Sequence, residues 1–551
     1  MPALGAFTFV LHSHFPYCRL AGRWPHGEEW IHEAAAETYI PLLNALYDLR
    51  EQGLRFHLTI SLSPVLAEQL NDRDIRANFA EYLREKIDVA QADERRHEAS
   101  GEAHLQRLAR FYREWYGHIR KSYEERFSGD VIAAFRRLQD EGLIEIITCG
   151  ATHGYLPLLG RDESISLQVK TAVASYRRLF GRDPRAIWLP ECAYRPGYTA
   201  ESSLSRPGLE EFLMRSGLRA FFSDTHTVEG GELSGPAAGQ AIGPYGQVTR
   251  RYTVPMPAGD PSQPATTFQP YYVGSSTVAV IARNKQTGLQ VWSAEWGYPG
   301  EAAYREFHKK DGTSGLQYWR VTGPRVDLGS KDLYDPDLAQ ERVRSHADHF
   351  AALIERELAA YAGSSGLYGL LASNYDTELF GHWWFEGVDW LREVIARVAR
   401  NPRVDLTTAS DFLETHPPLE ALHLPESSWG AGGQHFVWDN PDTHWMWAPI
   451  HQAEDRMAGL AARFAHPGAL ERTLLNQAAR ELLLLQSSDW PFLVTTGQAG
   501  EYAIQRFRSH LDRFNGLAAS LESRVPDAAL AEELWQKDKI FEDIDYKWFA
   551  A

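Results

Sequence analysis

Seven short apolar runs punctuate the first 410 positions, at residues 6–11, 56–61, 144–148, 186–189, 219–223, 367–372 and 404–407. Each is of strand length and predicts a buried strand. Amphipathic helical stretches separate most of them. This βα repetition predicts a parallel sheet, and a closed barrel of about seven strands is its simplest architecture. Between the second and third runs, Leu105, Leu108, Tyr112, Trp115 and Ile119 recur at three- and four-residue spacing and draw one apolar helical stripe. A helical insertion is therefore expected at 66–135, with the charged stretch 93–102 as a solvated loop or exposed helix end. Beyond about residue 415 the strand pattern stops. Leu470, Leu474, Ala478 and Leu482, then Ile504, Phe507, Leu511, Phe514 and Ala518, repeat the helical spacing. The expected organisation is a barrel at 1–414 and a helical C-terminal domain at 415–551, without internal repeats.

The stretch 229–270 is irregular, with 7 Gly and 7 Pro in 42 residues. It begins just beyond the end of a predicted strand, where a barrel keeps its chemistry, and reads as a flexible lid loop. The same rule is met at other strand ends. His12 and His14 lie at the first, His153 just after the third, Glu191 after the fourth, Asp224 and His226 after the fifth, and Asp376 after the sixth.

Composition narrows the chemistry. A formal net charge of −17 disfavours nucleic acid and other polyanions. The apolar runs are far shorter than the roughly 18–20 residues a bilayer crossing needs, and the N-terminus lacks a signal pattern, so a cytoplasmic protein is expected. Three scattered cysteines, Cys18, Cys149 and Cys192, fit a reducing compartment and structural thiols. The chain also holds 17 Trp, 24 Tyr and 25 Phe, many beside His, Asp and Glu. Flat rings cover sugar faces while carboxylates act on a glycosidic oxygen, so this combination suggests a carbohydrate site.

Glu191 and Asp376 at the mouth of one barrel would supply the two carboxylates that glycoside chemistry requires. Spacing alone leaves Glu378 and Glu386 as rivals of Asp376, and an ion pair with Arg195 as the structural alternative for Glu191. His12 and His14, two apart on an extended segment, point to one side. With His153, Asp224 and His226 they also have metal-ligand character, which makes a metal-dependent polysaccharide deacetylase the rival class.

These segments together resemble glycoside hydrolase family 57, and within it the 1,4-α-glucan branching enzymes. The resemblance rests on His12-Ser13-His14-Phe15-Pro16-Tyr17, Cys149-Gly150-Ala151-Thr152-His153-Gly154-Tyr155, Trp188-Leu189-Pro190-Glu191-Cys192, the stretch from Ser373 through Asp376 to Trp383, and Glu426-Ser427-Ser428-Trp429-Gly430 running on to Trp438-Asp439-Asn440. It implies a (β/α)7 barrel with a helical insertion and a helical C-terminal domain. By the same resemblance Glu191 is the nucleophile and Asp376 the general acid/base of a retaining double displacement, with no metal and no cofactor. Retention puts the carboxyl groups about 5–5.5 Å apart, and the charge of Glu191 is expected to raise the pKa of Asp376. His12, His14, His153 and Asp489 would bind the donor sugar, while Trp24, Trp292, Trp429 and Trp438 would line the glucan groove. Core packing is the alternative for each tryptophan.

The implied substrate is an α-1,4-glucan such as amylose, amylopectin or glycogen, and the implied reaction is α-1,4 cleavage with α-1,6 rejoining. A 4-α-glucanotransferase or an α-amylase-type hydrolase would use the same pair. A glucan-binding protein on a dead scaffold would have lost it. Relatives carry a tyrosine near the tip of the lid. Here Tyr245, Tyr271 and Tyr272 are the candidates, and the lid lacks the relatives' Pro-Arg-Pro-Arg-Tyr-like pattern.

Overall fold

The structure is a computed structural model that describes residues 3–199, 205–229, 240–243, 246–249, 265–293, 297–323, 325–523 and 525–549. Seven parallel strands form its centre: β1 (Gly5–Ser13), β2 (Leu58–Leu62), β3 (Ile144–Cys149), β4 (Ala186–Trp188), β5 (Ala220–Ser223), β6 (Ala279–Ala282) and β7 (Gly369–Asp376). They run side by side in the order β7-β1-β2-β3-β4-β5-β6, the curled sheet of a (β/α)7 barrel. All nine residues of β1 are buried, which is why it reads as a mainly apolar run.

Side chains alternate between two cores. Ala6 and Val10 of β1, Ile147 and Cys149 of β3, Ala186 and Trp188 of β4, Phe222, Ile281, Leu370 and Ala372 form a compact inner cluster. Phe7, Phe9 and Leu11 pack outward against the surrounding helices. By the same alternation His12 and Asp376, paired in register across β1 and β7, continue the inner rows to the C-terminal rim.

Two expectations change. The barrel strand without a predicted counterpart is β6, Ala279–Ala282, hidden in the sequence by its position just past the irregular stretch. The run at 404–407 instead gives a short strand, Val404–Leu406, which pairs with the first residues of β1. Since β2 pairs only with Val10–Ser13, the two share one edge of β1. Six of the seven predicted strands therefore belong to the barrel.

Between β2 and β3 lie the helices Pro64–Asn71, Arg73–Ser100, Ala103–Lys121 and Val131–Asp140. Asp72 caps the long one by accepting from the N–H groups of Asp74 and Ile75, and Gly101 ends it at φ 73°. Leu108, Tyr112 and Ile119 of the predicted stripe are buried. The charged stretch 93–102 is not wholly solvated: Asp93 is buried and accepts from the Tyr318 hydroxyl at 2.7 Å. Beyond the barrel, Trp447–Arg463, Ala469–Leu485, Asp489–Thr496, Gly500–Glu522 and Ala528–Lys537 form the helical C-terminal region. Arg480 ties this region's end down by donating to the carbonyls of Ile540 and Phe541, and Arg19 does so from the barrel side through Gln536 and Lys537. No helix among the described residues is long and apolar enough to cross a membrane.

Candidate active site

Glu191 sits on the turn Pro190–Cys192 directly after β4, at φ 60° and ψ 25°. Left-handed backbone is costly for a residue with a Cβ, and it recurs nearby at Cys192 (φ 49°) and His153 (φ 56°). The turn delivers the carboxylate to the barrel mouth, where 18% of the side chain stays exposed. Its Oε2 accepts from the Trp429 indole N–H at 2.7 Å, and the Glu191 carbonyl accepts from the Trp429 backbone N–H at 3.1 Å. Arg195 makes no ion pair with it; its Nη1 donates to the Pro196 carbonyl. Burial lifts the Glu191 carboxyl to about 8, with the Trp429 N–H pulling down and the charges of Asp376 and Asp489 pushing up.

Asp376 ends β7. Burial lifts its carboxyl to about 7, opposed by His14 and Arg283. Burial is the leading cause at both carboxyls, and the expected repulsion between Glu191 and Asp376 acts on the two alike.

Around the pair the imidazoles stack. His14 lies 3.8 Å from His153 between ring centroids, His12 lies 5.2 Å from His153, and His12 lies flat on Trp188 at 4.8 Å. The nitrogens of His12 are occupied by Ser61 Oγ at 3.0 Å and His153 Nε2 at 3.1 Å, while His153 Nδ1 meets Ser488 Oγ at 2.7 Å. Burial lowers the pKa of both well below the usual range, so they are neutral. His14 Nδ1 meets Ser63 Oγ at 2.9 Å, and its Nε2 lies 3.0 Å from Asp489 Oδ1. Asp489 opens a C-terminal helix and is held by the Ser487 hydroxyl at 2.6 Å. The C-terminal region therefore completes the mouth.

The rival carboxylates are engaged elsewhere. Glu378 Oε1 accepts from the His14 N–H at 3.2 Å and, through a short bond, from the Tyr39 hydroxyl. Glu386 Oε1 accepts from the Arg305 N–H at 3.0 Å and the Tyr334 hydroxyl at 2.6 Å. Tyr39 closes the π-helical turn Ala35–Tyr39, against which the chain after Asp376 passes so closely that a Cβ on Gly381 would meet the Glu37 carbonyl at 1.9 Å. The metal-binding alternative loses a ligand, because Asp224 is paired with Arg283 through contacts of 2.6 and 3.1 Å. Cys149 comes close to His12 and His153, and burial raises the pKa of its thiol well above the usual range.

Of the predicted groove tryptophans, Trp24 is 69% exposed and Trp292 half-buried, its ring 6.4 Å from that of Tyr375. Trp429 braces Glu191 and packs edge-on to Trp188 at 5.1 Å. Trp438 differs: it is 1% exposed and stacked on Tyr155 at 4.3 Å, which leaves no ring face for a sugar. Tyr271 is also buried, in a short strand, with its hydroxyl accepting from the Thr266 N–H at 2.9 Å, so it covers nothing at a loop tip. Tyr272, its half-buried neighbour, lies in the same strand, whereas Tyr245 and most of the expected lid at 229–270 lie outside the described residues. Ser61, Ser63, Ser487, Ser488 and Tyr39 were not singled out from the sequence; only the first two carry a signal, as hydroxyls at the end of β2.

Glu378 also yields a stability prediction. Burial, with a contribution from Asp376, lifts its carboxyl to about 8, above its ordinary value. The folded protein holds that proton more tightly than the unfolded chain, so the stabilisation is present at low pH and is lost as pH rises through about 8. Glu378→Gln keeps the accepting oxygen and cannot ionise. Its Tm, relative to the unsubstituted protein, is expected to be about 1–3 °C more favourable at about pH 9 than at about pH 5, and paired thermal melts would show it.

A parallel barrel whose C-terminal rim holds two half-buried carboxyls, stacked imidazoles and the Trp429 indole defines an enzyme site of the glycoside-cleaving kind. The chain belongs to glycosyl hydrolase family 57, whose model matches residues 8–425. Residues 449–549 match the C-terminal model of 1,4-α-glucan branching enzymes. The chain is 45% identical over 549 residues to a 1,4-α-glucan branching enzyme of Thermococcus kodakarensis, covering 98% of this chain and 78% of that protein. Its fold matches the crystal structure of a family 57-type branching enzyme from Pyrococcus horikoshii with a TM-score of 0.88 at 42% identity, over 99% and 97% of the two chains. An α-amylase from Thermotoga maritima matches with a TM-score of 0.82 at 30% identity, over 99% of both.

Proposed function

We propose that the chain is a retaining 1,4-α-glucan branching enzyme, with Glu191 as nucleophile and Asp376 as general acid/base. The observation that carries this reading is that the region similar to branching enzymes is also the region that sets Asp489 against His14 in the mouth. Amylose, amylopectin and glycogen are the proposed substrates. Glu191 attacks the anomeric carbon of an α-1,4-linked donor while Asp376 protonates the departing glycosidic oxygen. The bond to that oxygen breaks as the ester to Glu191 forms. Asp376, now ionised, takes the proton of an acceptor 6-hydroxyl, whose oxygen displaces Glu191 and closes the α-1,6 bond. Trp429 holds the Glu191 oxygen for attack and stabilises it as a leaving group. Asp489 and the imidazoles shape the donor subsite, and Trp24 and Trp292 offer rings to the glucan.

The test is proton NMR of amylose incubated with the enzyme. Abundant new α-1,6 anomeric signals with few new reducing ends are expected. Reducing ends without α-1,6 signals would move the protein to the hydrolytic reading, which the 30% identity to an α-amylase over the full chain favours as the alternative.

The pH dependence follows from the raised pair. Attack needs one carboxyl ionised and the other protonated, so kcat/KM should fall on both sides of a maximum near neutrality, with apparent pKa values that belong to the pair. With a glycosyl fluoride donor the leaving group needs no proton, and the alkaline fall in the glycosylation step should vanish while the acid fall stays.

A further inference from the structure

A cavity of about 590 Å³ lies on the barrel flank, between the insertion helix Ala103–Lys121, the barrel helices Ile40–Glu51 and Gly387–Ala399, and the start of Pro336–Ser365. It shares no residue with the pair of carboxyls or the imidazole stack. Its volume is within the range of ligand pockets.

The lining has a ring side and a polar side. Trp115 and Phe111 come from the insertion and Phe385 from the chain beyond Asp376, with Trp115 at 5.3 Å and Phe111 at 6.2 Å from Phe385 between centroids. Trp115 and Phe385 are only half-buried, so part of each ring faces the opening. Opposite in chemistry are Gln340, which donates to Asp389 at 2.6 Å, and Glu386, whose Oε2 is buried without a partner among the described residues.

The charges at the rim are already matched. Arg107 holds Asp337 at 2.7 Å, and Asp48 is held by Arg126 at 2.8 Å. An ionic ligand would have to displace these partners. An uncharged polyhydroxyl ligand would not: its hydroxyls pair with Gln340 and Asp389, while its flat apolar face covers Trp115.

We propose that this cavity is a second α-glucan site, which grips a chain of the same polymer away from the barrel mouth. The proposal rests on the reading that the enzyme acts on α-glucans. A second grip raises the concentration of glucan near the mouth without any change in the chemistry.

Calorimetric titration of maltoheptaose into the Asp376→Asn protein, whose turnover is slowed at least about a hundred-fold, tests it. Two classes of site are expected, and adding Trp115→Ala should remove one class or weaken it about ten-fold while sparing the other. Gln340→Ala, which leaves the ring packing intact, should weaken the same class and guards against misfolding of the tryptophan variant. In the otherwise unsubstituted enzyme, Trp115→Ala should raise the KM for amylose with kcat unchanged. A single class of site untouched by both substitutions overturns the second site, and the function stands if the NMR assay still shows α-1,6 bonds. No α-1,6 bonds, no new reducing ends and no maltoheptaose binding would overturn the function and the second site together.

Discussion

Glu191→Gly is expected to fold normally and to lose turnover on amylose by at least ~10⁴-fold, because the substitution removes the oxygen that attacks the anomeric carbon. Glycine is the informative replacement. Residue 191 is held at φ 60°, a conformation glycine adopts without cost, so the substitution relieves backbone strain while it deletes the nucleophile. Circular dichroism should be unchanged and the Tm no lower. The space left by the carboxylate admits azide, and with a glycosyl fluoride donor the product should be the β-glycosyl azide. Attack by azide from the side of residue 191, without a second displacement, inverts the anomeric centre. An α-azide, or unchanged turnover of amylose, would remove Glu191 from the nucleophile's role.

The second large effect belongs to Asp376→Asn. Without the proton donor, kcat on amylose should fall by about 10²–10⁴-fold, with a much smaller change in KM. The two steps then come apart. Fluoride leaves without a proton, so a maltosyl fluoride donor should still load Glu191. Transfer to a sugar hydroxyl lacks its base and stalls. Mass spectrometry of the quenched protein should show a maltosyl adduct on the peptide that contains Glu191, an adduct absent when the Asp376 enzyme turns over amylose. Full turnover of amylose by Asp376→Asn would sink the assignment.

The barrel was legible in the sequence wherever a strand is buried on both faces, since β1, β3 and β7 leave mainly apolar runs. Ala279–Ala282 was missed because its run abuts an irregular stretch, and the run at 404–407 misled because an edge strand and a barrel strand have the same local pattern. At the site, His12, His14, Glu191 and Asp376 stood out as unusual residues at strand ends. Their supports did not. Ser61 and Ser488 are ordinary residues that matter only because the fold brings them to His12 and His153. Spacing also could not separate Asp376 from Glu378 and Glu386, whose difference lies in distant donors, Tyr39 for one and Tyr334 for the other. Trp438 shows the limit from the other side: its motif predicts a groove ring, and contact with Tyr155 buries it.

The bond between His14 and Asp489 joins residues 475 positions apart, one just past the first strand and the other on a helix of the C-terminal region. A ribosome therefore releases the last part of the donor subsite long after the first, and a barrel that has already closed during synthesis has no finished mouth until the C-terminal helices dock. In refolding from denaturant, regain of glucan transfer should trail regain of the barrel's own spectroscopic signal by the time those helices need to find it.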